Sequence, residues 1–459
     1  MTISFETRLA AAAPADDDLS WLPAWRIRQL IETRALSPVD VVDHFLMRID
    51  TLDPQLHAFR TIDRDGARAQ AKAAETAVMR GEPLGALHGI PVATKSVLSI
   101  KGNAATGFGA AQGIAPDHDA MEIERLRKAG AIIVGPTVSG LTAREFGSSD
   151  RAPLNPWDTE RACGDSSGGS ACAAAAAMVP IAIGGDGMGS TRLPAAFCGL
   201  VGVHPTRGLV PSFEWVTLNT RPFTTYGPMT RDVRDAATVL SVLAGPDGRE
   251  MMSLQSDPPD FLAGLDAGVT DMRLGWTDDY GYARKYAVEE TPRVIETVRT
   301  AAWRLSNAGA RIEAIEGMLF EEPIWAANQW IATDVAQTTD YDLGLTLPSR
   351  EEIARAREVR GRVWQAMRDV TDRYDLLLCP TVLEVAPTRK QWAIDGISTD
   401  FFGIYPAMAG VANFIGWPAI SVPAGLVDGL PVALQIIGRP HDEPRMFRLA
   451  QAFLAAQPS

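Results

Sequence analysis

The segment from Gly164 to Pro205, GDSSGGSACAAAAAMVPIAIGGDGMGSTRLPAAFCGLVGVHP, limits what this chain can become more than any other. Its middle is an alanine-rich run followed by the strand-like IAIGG, too apolar to be left in water. Glycine and serine clusters stand on either side of that run. Glycines let backbone N–H groups approach a ligand closely, and serines among them serve as helix caps or as nucleophiles. The segment therefore poses two questions: which serine reacts, and what removes its proton.

The rest of the chain frames this segment with alternating elements. From Ala24 to about Ile62 the spacing of Leu30, Ile31, Val41, Val42, Phe45, Leu46 and Ile49 predicts two amphipathic helices, the second starting at Ser37-Pro38. A further helix is expected over Ala67 to Arg80. LHGIPVATK and AIIVGPT are short apolar runs closed by Gly, Pro or Lys, as buried strands are, with a helix expected between them over His118 to Gly130. Downstream, Val233 to Leu243 reads as helix. MRLGW and ARIEAI read as strands flanking a helix over Thr291 to Ala308. Leu319 to about Val370 is mostly helical, DLLLCPT, PAISVPAG and VALQIIG are late strands, and a closing helix runs over Pro444 to Ala455. Such alternation implies an α/β fold, with helices layered around a mixed sheet. The expected organisation is one domain over residues 1–459, with a helical segment (1–80), a core carrying the chemistry (81–245) and the remaining sheet and pocket helices (246–459).

Charge and cysteine content narrow the partners. A net charge of −13 lacks the basic footprint that nucleic acid or an anionic membrane demands, so a small molecule is the expected partner, with a monomer or homodimer as the expected state. Four cysteines, Cys163, Cys172, Cys198 and Cys379, form neither a disulfide framework nor a CxxC zinc motif, which fits a reducing cytoplasm. The N-terminal MTISFETRLAAAAPADDD lacks the pattern of a signal peptide, and no apolar run is long enough for a membrane span.

Among the bases, the six histidines offer little. Only His88 and His204 adjoin the segments of interest, and a Ser–His–Asp reading is weak. Lys95 is the stronger candidate: it ends the apolar GIPVATK and precedes the apolar VLSI, and burial of a lysine favours its neutral, proton-accepting form. Ser166, Ser167 and Ser170 stand before the alanine-rich helix, where capping is the alternative role. Ser190 follows consecutive glycines that can turn N–H groups toward one point, as an oxyanion hole requires. A dinucleotide-binding loop is disfavoured, because Pro194 is expected to interrupt the helix that such a loop needs and no acidic residue ends a second strand at the right distance.

With these residues in view, the chain resembles the amidase signature family. LHGIPVATKSVLSIKG looks like its lysine segment and GDSSGGSACAAAAAMVPIAIGGDGMGSTRLPAAFCGLVGVHPTRG like its glycine–serine signature. LSPVDVVDHFLMRIDTLDPQLHAF, YGPMTRDVRDAATVLSVLAG, DLLLCPTVLEVAP and NFIGWPAISVPAGLVDGLPVALQIIG agree as well, so the likeness runs over nearly the whole chain.

The resemblance implies the amidase signature fold, a large mixed twisted sheet surrounded by helices. It implies Ser190 as nucleophile, Ser166 as a bridging serine usually held by a cis peptide bond, and Lys95 as base. The N–H groups of Gly187, Met188, Gly189 and Ser190 are then the oxyanion donors, Asp186 and Arg192 support the loop, and neither a metal nor an organic cofactor is called for. Met188 replaces a usual glycine, Asp165 another glycine, Ser96 an aspartate and His204 a lysine.

The expected activity is hydrolysis of a carbonyl carbon–nitrogen bond, amide or carbamate (urethane), in small apolar or aryl substrates, through an acyl- or carbamoyl-enzyme. A wide apolar pocket is expected from Met188, Phe213, Trp215, Trp325, Trp330, Phe401, Phe402 and Tyr405, each of which could also be ordinary core. Two other classes stand beside this one: a glutaminase of the amidotransferase A type working in a multi-protein assembly, and a non-catalytic small-molecule binder on the same scaffold.

Overall fold

The structure is a computed structural model, and it describes residues 19–107, 113–139, 152–164, 166–212, 223–315, 323–338, 347–395 and 405–457. Three helices lead: α1 (Ala24–Glu32), α2 (Pro38–Leu56) and α3 (Arg64–Arg80). Their ends follow from local chemistry. The Ser37 hydroxyl accepts from Val39 N and Pro38 occupies the first turn of α2, where a missing N–H costs nothing. Asp63 accepts from Gly66 N to open α3, and Gly81 closes it in the left-handed region. The first turn of α1 has no capping side chain of its own; Asp235 accepts its Ala24 and Trp25 N–H groups from more than two hundred residues away.

Then come β1 (Pro91–Lys95), α4 (Met121–Lys128), β2 (Ile132–Thr137), α5 (Gly168–Ala175), β3 (Ile181–Asp186), α6 (Arg192–Cys198), β4 (Val201–His204), β5 (Thr225–Thr230) and α7 (Val233–Leu243). The second half supplies β6 (Arg273–Trp276), α8 (Thr291–Trp303), β7 (Arg311–Ala314), α9 (Pro323–Thr338), α10 (Arg350–Thr371) and β8 (Leu376–Pro380). It ends with α11 (Arg389–Asp395), α12 (Pro406–Ile415), β9 (Ala419–Val427), β10 (Leu430–Ile437) and α13 (Glu443–Ala455).

Among the described residues the strands form one ten-stranded sheet in the order β2-β1-β3-β5-β4-β9-β10-β8-β6-β7. It is mixed, as expected: β2, β1 and β3 are parallel at one side and β8, β6 and β7 at the other, with antiparallel pairings between. Nearly every strand position near the middle is buried on both faces, which is why those sequences read as continuous apolar runs rather than alternations.

At α6 the fold departs from the sequence expectation. Pro194 does not prevent a helix after the glycine loop; it sits at the third position of α6, where the N–H groups of the first turn have no intrahelical acceptor. The helix expected from His118 begins only at Met121. The strands β4 and β5, and the helices α11 and α12, are elements that periodicity did not mark. Among the described residues, no helix is long and apolar enough to cross a membrane.

Candidate active site

Lys95 is the last residue of β1, and β3, its parallel neighbour, ends at Asp186 just before the glycine loop. Carboxyl ends of adjacent parallel strands are where open α/β sheets place their ligands. Two side chains fasten α5 to this edge: Ser170 Oγ donates to Ile183 O (2.9 Å) and lies 2.8 Å from Thr137 Oγ1, and Thr137 Oγ1 reaches Thr94 O at 3.2 Å. At Gly169 an added Cβ would stand 2.5 Å from Val138 O and 2.7 Å from Ala58 O, so only glycine permits this approach. Ser167 does not cap α5 with its side chain; its hydroxyl accepts from Gly185 N at 3.1 Å, tying the serine loop to β3.

This anchoring sets Ser166 against Lys95. Lys95 Nζ donates to Ser166 Oγ at 2.5 Å and to Gly185 O at 3.3 Å. Lys95 is 5% exposed, Ser166 5% and Ser190 6%, so all three residues singled out from the sequence are buried side chains with a narrow opening to solvent. No cis peptide bond occurs among the described residues, and the bond entering Ser166 begins at Asp165, which lies outside them.

The loop between β3 and α6 is held from behind by a buried polar network. Arg192, wholly enclosed, donates Nε to Asp186 Oδ2 (2.9 Å), Nη2 to Asp186 Oδ1 (3.1 Å) and to Asn413 Oδ1 (2.5 Å), and Nη1 to Ala409 O (2.7 Å) and Gln435 Oε1 (2.5 Å). Asn413 Nδ2 in turn donates to Asp186 O (3.0 Å), Asp186 Oδ1 (2.9 Å) and Phe223 O (3.1 Å). Gln435 extends the network to Tyr280 Oη, Cys379 Sγ and Met408 O. Burial alone would raise the Asp186 carboxyl, but the Arg192 guanidinium and the hydrogen bonds from Arg192 and Asn413 outweigh it and hold it well below its ordinary range.

The oxyanion expectation needs one correction. Gly189 N donates to Asp186 Oδ1 at 2.6 Å, so that N–H is committed inward and braces the loop instead of facing a substrate. Gly189 also has φ +111°, and a Cβ there would meet Ala409 Cβ at 2.9 Å, so glycine is required on both counts. Met188 is absent from the positive-φ residues, so its side chain imposes no backbone strain.

The histidines stand apart from the serines and lysine. His204 is buried behind Asp186, with Nδ1 2.8 Å from Thr225 Oγ1 and 3.8 Å from Asp186 Oδ1. Burial, aided by Arg192 and Arg207, lowers it to about 3, so it is neutral at physiological pH. His88 Nε2 lies 3.0 Å from Ala74 O on α3. The four cysteines are free and buried.

The expected pocket residues divide. Trp330 packs against Phe223 (ring centroids 6.0 Å), which packs against Phe414 (5.7 Å), while Arg360 stacks over Phe223 (5.5 Å) and Trp330 (5.3 Å) and donates Nε to Phe414 O. Thr224 Oγ1 beside this cluster would be 2.9 Å from a Cβ at Gly187, so the cluster flanks the glycine loop. Trp325 is half-buried beneath Arg355 at 4.8 Å. Tyr405 is a packing residue: it is buried with Leu193 and Phe197 of α6 and meets Trp392 at 4.6 Å. Phe213, Trp215, Phe401 and Phe402 lie outside the described residues. A separate hollow of about 590 Å³ beside Thr297, Arg304 and Gly425 contains none of the residues above.

Sequence reasoning missed Asn413, Gln435, Phe223 and Arg360. For the first two a signal existed: a lone amide in the apolar PAMAGVANFI and another in VALQIIG are polar groups that burial must satisfy.

A family model described as Amidase matches residues 40–350 and 342–447. The chain is 30% identical over 488 aligned positions to the A subunit of the glutamyl-tRNA(Gln) amidotransferase of Dehalococcoides mccartyi (strain CBDB1), covering 96% of this chain and 98% of that protein. It is 32% identical over 474 positions to the protein of the same name from Geobacillus thermodenitrificans (strain NG80-2), covering 93% and 95%. Among solved structures, a bacterial aryl acylamidase of the amidase signature family superposes with a TM-score of 0.83 at 29% identity, over 96% of this chain and 97% of that one. The A subunit of glutamyl-tRNA(Gln) amidotransferase from Thermotoga maritima superposes with 0.77 at 26%, over 95% of each. The chain belongs to the amidase signature family. It is accordingly an enzyme acting on carbon–nitrogen bonds.

Proposed function

We propose that this enzyme hydrolyses the carbonyl carbon–nitrogen bond of small aryl or alkyl amides, or of the corresponding carbamates, with Ser190, Ser166 and Lys95 as its reacting groups. The observation that carries this reading is the buried 2.5 Å contact between Lys95 Nζ, at the end of β1, and Ser166 Oγ, in the loop that leads into α5. Ser190 Oγ attacks the carbonyl carbon and passes its proton to Ser166, whose own proton moves to the free amine of Lys95. The N–H groups of Gly187, Met188 and Ser190 receive the developing oxyanion; Gly189, spent on Asp186, does not. Collapse breaks the C–N bond as Ser166 protonates the departing nitrogen, and water releases the acyl or carbamoyl group through the same relay.

The apolar substrate class is supported by the Phe223–Trp330–Phe414 cluster beside the glycine loop and by the likeness to an aryl acylamidase. Ser190→Ala and Lys95→Ala should each lower turnover of an aryl amide by at least about three orders of magnitude with the fold retained. With Lys95 as base, rates should also climb from neutral toward mildly alkaline pH. Near-normal turnover in Lys95→Ala, or a flat profile down to pH 5, would remove this assignment.

A second reading, a glutaminase that works inside a multi-protein assembly, draws support from the relatives named as A subunits of an amidotransferase. Its mark is glutamine hydrolysis that appears only with partner proteins and tRNA. A panel of anilides, aryl carbamates, aliphatic amides and glutamine separates the two.

A further inference from the structure

We infer that Met188 sets the depth of the acyl side of the site and that Gly410 is the residue that lets it do so; the inference rests on the hydrolase reading above. Between Asp186 and Ser190 the loop reads Gly-Met-Gly, so Met188 carries its only side chain. Solvent reaches Gly187, Met188 (7% exposed) and Ser190 (6%), whereas Gly189 is turned inward onto Ala409 and Leu193. Met188 is thus nearly enclosed, keeping only a small exposed edge, two residues from the nucleophile.

From there its side chain reaches across to α9 and α12. A Cβ built on Gly410 of α12 would lie 2.7 Å from Met188 Cε and 2.9 Å from Ile324 Cδ1 of α9. The thioether tip occupies the place that any larger residue at 410 would need. Ile324 and Gly410 are fully enclosed, so the tip closes the gap between loop and helices at this point. A glycine at 188 would leave that gap unfilled. On this inference the leaving group lies toward the other wall of the loop, the Phe223–Trp330 pair, over which Arg360 stacks. The structure thus assigns short-acyl aryl amides and carbamates as the preferred substrates, with the length limit imposed by one unbranched side chain whose flexibility makes the limit adjustable.

The pair supports opposite perturbations. Met188→Ala removes the wedge, while Gly410→Ala pushes the methionine tip away from α12, toward the cleft, since the atoms displaced are the free ends of two flexible side chains. The readout is covalent labelling of Ser190 by alkyl phosphonofluoridates carrying one, three and six carbons on phosphorus, followed by intact mass. In that reaction the Ser190 O–P bond forms, fluoride leaves, and the serine proton enters the Ser166–Lys95 relay.

The wild type should label fastest with the shortest chain. Met188→Ala should shift the long-to-short rate ratio upward by about fourfold for each methylene accommodated, the fold-change equivalent to burying one CH2 group. Gly410→Ala should shift it downward, and the double variant should move it back up, since the wedge is gone. A ratio unchanged within twofold in both single variants, with labelling intact, overturns the inference and leaves the nucleophile standing. Failure of the wild type to label with any chain removes the nucleophile assignment, and this inference falls with it.

Discussion

Asn413 offers the sharpest test of how the glycine loop is held. Its amide gives hydrogen to Asp186 O, Asp186 Oδ1 and Phe223 O and takes one from Arg192 Nη2, all away from solvent. Asn413→Ala deletes these four bonds, two of them to charged partners. Asp186 and Arg192 still hold each other through Nε–Oδ2 at 2.9 Å and Nη2–Oδ1 at 3.1 Å, so no charge is stranded. The loss is then two charge-assisted hydrogen bonds and the Asn413 donor to two carbonyls, Asp186 O and Phe223 O, about 3 kcal/mol in all once the remaining partners relax. That is at the lower end of the roughly 3–5 kcal/mol expected for breaking the ion pair itself.

Catalysis should suffer separately. Asp186 Oδ1 also receives Gly189 N–H, and a carboxylate that has lost the Asn413 amide, while Arg192 still holds it, fixes less tightly the loop that carries the proposed oxyanion donors. A loss of about 1.4–2.7 kcal/mol in transition-state stabilisation corresponds to a tenfold to hundredfold fall in kcat with KM little changed. Equilibrium urea unfolding followed by tryptophan fluorescence gives the first quantity and steady-state kinetics on an anilide the second. Asn413→Asp should be worse than alanine in both, since it keeps the shape but sets a second carboxylate beside Asp186. A stability change under 1 kcal/mol with kcat within twofold, or an aspartate better tolerated than alanine, would refute this account of the loop.

Two further outcomes follow from the same geometry. Gly189→Ala places a Cβ at φ +111° and 2.9 Å from Ala409 Cβ, so it should cost about 1–3 kcal/mol in unfolding free energy and most of the turnover; a fully active, equally stable variant would contradict it. His204, at about 3 in the fold and near 6.5 when unfolded, takes up its proton only on unfolding between those values. Stability contributed by this residue is therefore complete above about pH 6.5 and lost as pH falls toward 3, at up to about 1.4 kcal/mol per pH unit. His204→Gln should flatten the stability–pH slope between pH 4 and 6.5 by that amount, and an unchanged slope would show that His204 does not set it.

Much of the framework was legible in the residues. The helix boundaries at Ser37-Pro38 and over Val233–Leu243 follow from capping and period, which are local properties. Lys95 stood out because a charged residue ended a buried strand, and Ser190 because glycines preceded it. What periodicity could not mark were the four-residue β4 and the helix α12, both buried along their whole length, so that no polar face sets a period. Pro194 misled for a related reason: proline's effect depends on its place in a helix, and that place is known only once the helix start is.

The Gly164–Pro205 segment by itself determined that a buried helix and strand would carry two serine loops, because composition alone forbids leaving that run in water. Which serine meets the lysine was decided by tertiary structure: β1 and β3 must pair in parallel before Lys95 Nζ can reach Ser166 Oγ. The same holds for the loop's donors. Gly187, Met188, Gly189 and Ser190 are equivalent candidates along the chain, and only the Asp186–Arg192 pair, braced by Asn413 from more than two hundred positions away, turns Gly189 inward. Hydrogen-bond direction is a property of the folded neighbourhood, and no local pattern encodes it.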